Sequence, residues 1–152
     1  MATTTLYEKE VSFQADRRRA GVKLIKIISD LWYDKSIEMV LFRNQLIDRN
    51  VSDIINLHGY AAEFVGKPIS IFNSVKIAKA ILELDLPPAK LDIGKLAYEY
   101  ALEEDKYQDA KYFVIDKLKN AKNSEEIHPK DVVLYGFGRI GRLLARELMS
   151  KT

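Results

Sequence analysis

Apolar and polar positions alternate with a helical period along most of this chain, from about Leu6 to Ala121. Phe13, Ala20, Leu24, Ile27, Ile28 and Leu31 fall at three-, four- and seven-residue steps and predict one apolar stripe along a long first helix. Gly21 interrupts that helix at a cost of roughly 1 kcal/mol relative to alanine, so a close contact with another helix is expected there. Between about Ser36 and Asp48, Ile37, Val40, Leu41 and Ile47 share one helical face, and Met39, Phe42 and Leu46 share another. Apolar residues on two faces predict a second helix buried on most sides.

Ser52 reads as the N-cap of a third helix, with Val51, Ile54, Ile55, His58, Ala61, Ala62 and Val65 forming its stripe. Gly66 suits the left-handed position after a helix, and Pro68 prevents continuation. A further helix is predicted from about Asn73 to Leu84, closed by Pro87 and Pro88. Asp92 can cap the next, which carries Ile93, Leu96, Ala97 and Tyr100 inward. The last helical stretch, about Asp105 to Ala121, turns Ala110, Phe113, Val114, Leu118 and Ala121 inward and lysines outward.

The pattern changes at Asn120–Lys130, which is polar and contains Pro129 and a single isolated apolar residue, Ile127. A short apolar run, Val132 to Tyr135, then enters a GxGxxG pattern at Gly136, Gly138 and Gly141, and Arg142 to Met149 reads as a helix. Strand, tight turn and helix in that order open a dinucleotide-binding βαβ unit. Gly136 would allow the turn, Gly138 would let backbone approach a phosphate, and Gly141 would let the helix pack closely on the strand. The first-turn N–H groups and the helix dipole would face the anion. The acidic residue for the ribose hydroxyls belongs about 20 residues further on, beyond Thr152. The expected fold class is therefore mainly α: an all-α domain over residues 1–121, a polar linker over 122–130, and the start of a Rossmann NAD(P)-binding domain over 131–152.

Charge sharpens this picture. The 152-residue chain has a formal net charge of +2, but residues 130–152 carry +3 and the rest −1. The positive charge gathers where a pyrophosphate would sit, and no polyanionic partner is implied for the whole. There are no cysteines, which excludes disulfides, thiolate nucleophiles and Cys-ligated zinc, and fits a reducing cytoplasm. No apolar h-region opens the chain and no apolar run approaches a membrane span.

The wording of the motif is more specific than its glycines. Tyr135-Gly-Phe-Gly-Arg-Ile-Gly-Arg142, followed by Leu143-Leu-Ala-Arg146, closely resembles the N-terminal signature of the glyceraldehyde-3-phosphate dehydrogenase family, whose common form has Asn where this chain has Tyr135. The resemblance implies that the backbone at Gly136, Phe137, Gly138, Arg139, Ile140 and Gly141 lies along the pyrophosphate of NAD or NADP. The helical region resembles an extension carried by a bacterial subset of the family, through Tyr7-Glu-Lys-Glu10 and Gly66-Lys-Pro-Ile69. It further implies a homo-oligomeric, cytoplasmic parent enzyme that oxidises and phosphorylates an aldehyde. The family's cysteine chemistry has no counterpart among these residues, so no dehydrogenase activity is expected of this chain alone. D-2-hydroxyacid dehydrogenases use a similar turn, but their preceding segment alternates strands and helices, whereas residues 6–121 read as helical.

Other features read as structural. His58 lies in an apolar stripe and is expected to be a core histidine bonded to a neighbouring carbonyl or carboxylate. His128 has no partner at metal spacing, so no metal site is expected. Arg17, Arg18 and Arg19 point in different directions on a helix and read as a solvated or intersubunit face. Residues 36–66 lack a basic recognition face, so no nucleic-acid role is expected. The alternative to a dinucleotide-binding parent is a non-catalytic helical module for interaction or oligomerisation.

Overall fold

The structure, a computed structural model, describes residues 2–119 and 132–150. The first helix, α1 (Ala2–Lys35), is followed by two short strands, β1 (Ile37–Leu41) and β2 (Asn44–Gln45). Then come α2 (Val51–Tyr60), α3 (Ala62–Val65) and α4 (Ile71–Leu82). A third strand, β3 (Ala89–Asp92), leads into α5 (Ile93–Glu103), and α6 (Ala110–Lys117) follows a 3-10 turn. Past residues 120–131, which hold the expected linker with Ile127 and His128 and lie outside the described residues, α7 spans Arg139–Ser150.

The domain expected to be all helical contains a three-stranded sheet of order β2-β1-β3. β1 pairs with β2 antiparallel and with β3 in parallel, in register from Ile37 opposite Ala89 to Val40 opposite Asp92. The helix expected over Ser36–Asp48 is thus a β-hairpin. Its apolar residues on two faces do mean burial on two faces, but of a central strand between α1 and α5. A run this short has no periodicity that separates the two readings.

The hairpin turns at Phe42 and Arg43, whose φ angles of 45° and 73° put two bulky residues where Asn-Gly is usual. Phe42 is held from three sides. Its N–H donates to Asp92 Oδ1 at 3.1 Å, its ring stacks on Phe64 at 5.2 Å and 11°, and it presses on Gly94, where a Cβ would come within 2.9 Å of the ring.

Several local expectations hold. α1 buries Ala20, Leu24, Ile27, Ile28 and Leu31, while Phe13 stays half exposed at the edge of that stripe. A Cβ on Gly21 would meet Val51 Cγ1 at 2.9 Å, which is the close helix contact its position required. Gly66 has φ 74°, and Asp92 Oδ1 accepts from the N–H groups of Gly94 and Lys95. Other boundaries move. The cap of α2 is Asn50, which accepts from Asp53 N–H, and Ser52 lies inside the helix. The predicted single helix over 51–65 breaks at Ala61. The last helix of the domain starts at Ala110 behind the cap Asp109, and Asp105 belongs to the 3-10 turn.

Leu24, Ile28 and Leu31 of α1 pack with Ile54, Ile77, Ile81, Ile93 and Phe113 in one core. Each such side chain removed from water contributes about 1.5–3 kcal/mol. Lys35 ties the two main helices together at their ends: its Nζ donates to the carbonyls of Leu82 and Leu84 at 2.7 and 2.8 Å. A cation there completes the C-terminus of α4.

Candidate functional site

The chain bends at Gly136 and passes into a helix, and the strand expected ahead of the turn is not formed among the described residues. Val132, Val133 and Leu134 pair with no strand among the described residues. A strand exists only through ladder hydrogen bonds to a neighbour, and the three strands of the sheet lie elsewhere in the chain. Gly136 has φ 98°, a conformation that a side chain resists. At Gly141 an added Cβ would overlap the carbonyl oxygen of Gly136, so the helix sits directly on the turn. Gly138 has open space where its Cβ would be.

α7 begins at Arg139, and Arg142 N–H donates to Gly138 carbonyl at 3.0 Å as the first helical bond forms. The N–H groups ahead of it belong to the set a helix leaves without internal partners, and they point out of its N-terminus. Val133, Tyr135, Gly138, Ile140 and Leu144 line a cleft of about 590 Å³ beside the turn. Phe137, Arg139 and Ile140 are exposed, and Gly141 is half-buried. Arg139, Arg142 and Arg146 have no carboxylate partner among the described residues. This arrangement can hold an anionic oxygen on backbone donors under a positive field.

A second cleft, of about 550 Å³, lies in the helical domain, and reading the sequence as helical hid it. The strained turn and α5 supply Arg43 and Lys95, and Phe64 and Tyr98 form apolar walls. Lys67 Nζ stands 5.5 Å over the Tyr98 ring. Neither Arg43 nor Lys95 has an ion-pair partner among the described residues. The bond from Phe42 N–H to Asp92 Oδ1 that helps shape this cleft joins residues 50 positions apart, so the cleft becomes visible only in the fold.

His58 is a core residue: its ring nitrogens lie 2.7 Å from Ile54 carbonyl and 2.9 Å from Ser74 Oγ. Burial lowers its pKa, with Arg17's charge adding to the effect and the carbonyl bond opposing it. Among the described residues no group of three or more His, Cys, Asp or Glu side chains is arranged to hold a metal ion. No helix among them is long and apolar enough to cross a membrane.

The glycine turn thus runs directly into a helix N-terminus, an end that leaves backbone N–H groups without internal partners. No family model matches the chain. Over 133 residues the chain is 32% identical to a glyceraldehyde-3-phosphate dehydrogenase-like protein of Pseudomonas aeruginosa (strain UCBPP-PA14), an alignment covering 85% of this chain and 29% of that protein. The chain therefore spans under a third of this relative's length. Coverage of 85% must take in most of residues 2–119, so the likeness runs through the helical domain and is not confined to the glycine turn.

Proposed function

We propose that this chain is the N-terminal part of a glyceraldehyde-3-phosphate dehydrogenase-related enzyme, in which Gly136–Gly141 contact the pyrophosphate of NAD or NADP. Two features together carry this reading. Most of the helical domain is similar to a protein with that name, and the glycine turn beyond it has open space at Gly138 and the helix seated at Gly141. The residues present fit a diphosphate: Phe137, Arg139 and Ile140 flank backbone donors at a helix start, with Arg142 and Arg146 adding positive charge. When bound, the nicotinamide would accept hydride. This chain's own share is to grip and orient the anionic linkage. Aldehyde oxidation through a thiol is work for other residues, since none of these 152 is a cysteine.

The name of the relative also favours this parentage over a D-2-hydroxyacid dehydrogenase. The helical domain is read as an extension that mediates assembly.

The test is an amide-resolved NMR titration of the chain with NAD, NADP and inorganic pyrophosphate. Saturable shifts at residues 136–142, with a dissociation constant of about 1 mM or weaker, are expected, because so little interface offsets the cost of association. Gly138→Val should remove them and leave the helical domain's spectrum unchanged. No shift at these amides up to about 10 mM ligand would overturn the reading.

A further inference from the structure

The cleft beside the strained turn holds positive charge that the fold itself leaves unmatched. Arg43 reaches it from the turn after β1 and Lys95 from the first turn of α5, and neither has a carboxylate partner among the described residues. The two carboxylates of the lining are already engaged. Asp92 Oδ1 accepts from the N–H groups of Phe42, Gly94 and Lys95, and Glu99 lies 3.0 Å from Lys117 Nζ. With Glu99 matched by Lys117, the two cations outweigh Asp92, and Lys67 sets a third cation on the Tyr98 ring. An anion entering here breaks no internal ion pair of Arg43 or Lys95.

The walls are flat and apolar. Phe64 stacks on Phe42 with ring centroids 5.2 Å apart and planes 11° from parallel, yet it stays 57% exposed. Tyr98 is half-buried and lines the same cleft. Rings of this kind accept a second planar group by stacking, whatever its exact identity. The backbone adds an independent sign. Phe42 and Arg43 hold φ 45° and 73°, where Asn-Gly would sit with less strain. Strain of this sort gathers at ligand clamps, and here it puts Arg43 on the cleft while Phe42 backs the Phe64 ring.

We propose that this cleft binds a phosphate monoester carried on a flat aromatic ring, the chemistry that nucleoside monophosphates and aryl phosphates share. Arg43 grips the phosphate through its planar fork, and Lys95 supplies the second positive charge that a near-dianion calls for. The ring lies against Phe64 and Tyr98. The cleft's volume of about 550 Å³ falls in the range of small-molecule sites. Its lining shares no residue with the glycine turn.

An amide-resolved NMR titration of the full chain with adenosine 5′-monophosphate and with phenyl phosphate tests this, beside inorganic phosphate and adenosine. Saturable shifts are expected at Phe42, Arg43, Phe64 and Lys95, with at least one monoester bound about tenfold or more tightly than inorganic phosphate or adenosine. The tighter monoester identifies the source, and either order supports the site. Arg43→Gly and Lys95→Gln should each weaken monoester binding about tenfold, with the spectrum of the core unchanged because both side chains are exposed. Phe64→Ala should weaken the monoester and leave inorganic phosphate unaffected. Gly138→Val, in the glycine turn, should leave all these shifts in place. No shift at these amides up to about 10 mM monoester, inorganic phosphate bound as tightly as both monoesters, or Arg43→Gly and Lys95→Gln both binding like the unaltered chain would each overturn the inference.

Discussion

His58 and Ser74 satisfy one another inside the core, with Nε2 2.9 Å from the hydroxyl oxygen and the two residues 1% and 0% exposed. The carbonyl of Ile54 can only accept, so Nδ1 carries the proton and Nε2 accepts from Ser74. That assignment makes the histidine neutral. Its pKa is lowered from the ordinary 6.5 chiefly by burial. The unfolded chain therefore binds the proton more readily than the folded one. Stability is fully present above about pH 6.5 and falls as pH drops through the lowered folded value. Urea unfolding at pH 7 and at pH 5 should give a lower midpoint at pH 5, and His58→Gln should shrink that difference. Ser74→Ala should cost about 1–3 kcal/mol at pH 7, because it strands a buried acceptor.

The turn at Phe42 and Arg43 holds residues with side chains in left-handed backbone. Arg43 is exposed and unpaired among the described residues, so glycine would lose little there. Relief of about 1–2 kcal/mol of strain, set against glycine's greater flexibility, predicts that Arg43→Gly raises stability by up to about 1 kcal/mol. Gly94→Ala should act oppositely and cost about 1–3 kcal/mol, since its Cβ would press on the Phe42 ring and on Asp92 Oδ1. Thermal unfolding of both variants checks the opposite signs.

Lys35→Met keeps the aliphatic stem and removes the charged donor from the carbonyls of Leu82 and Leu84. A loss of about 1.5–3 kcal/mol is expected. Hydrogen exchange should quicken first in the last turn of α4, and an unchanged exchange rate there would contradict the capping role.

α7 keeps Ile140, Leu143 and Leu144 exposed. Its amides should exchange orders of magnitude faster than those of Leu24–Leu31 in the same chain, because no apolar burial resists its opening. Protection equal to that of the core would mean that another surface covers this helix.

What could be read along the chain was what depends on near neighbours. Gly66, Asp92 and Gly136 declare themselves because a left-handed residue or a capping carboxylate is a property of three or four consecutive positions. The stripe on α1 was legible for the same reason. β1 was not, since Ile37–Leu41 becomes a strand only when β3 arrives from far along the chain, and Phe42–Arg43 carries none of the usual turn residues. The candidate site divides in the same way. The left-handed φ of Gly136 and the close approach of the helix at Gly141 depend on their lack of a Cβ, whereas the strand expected at Val132–Tyr135 needed a neighbour that the described residues do not supply. The cleft of Arg43 and Lys95 joins segments that only the sheet brings together.

The parallel pairing of β1 with β3 also sets an order of events. Glu38 and Lys90 are register partners 52 positions apart, joined by a 3.1 Å ion pair. Closing a loop of that length costs about 3–4 kcal/mol of chain entropy before any contact across it is gained. A nascent chain can wind α1 as soon as it is made, but β1 has nothing to complete it until Asp92 has been synthesised. Until then one edge of Ile37–Leu41 is unpaired and open to pairing with another chain, and β3 closes it.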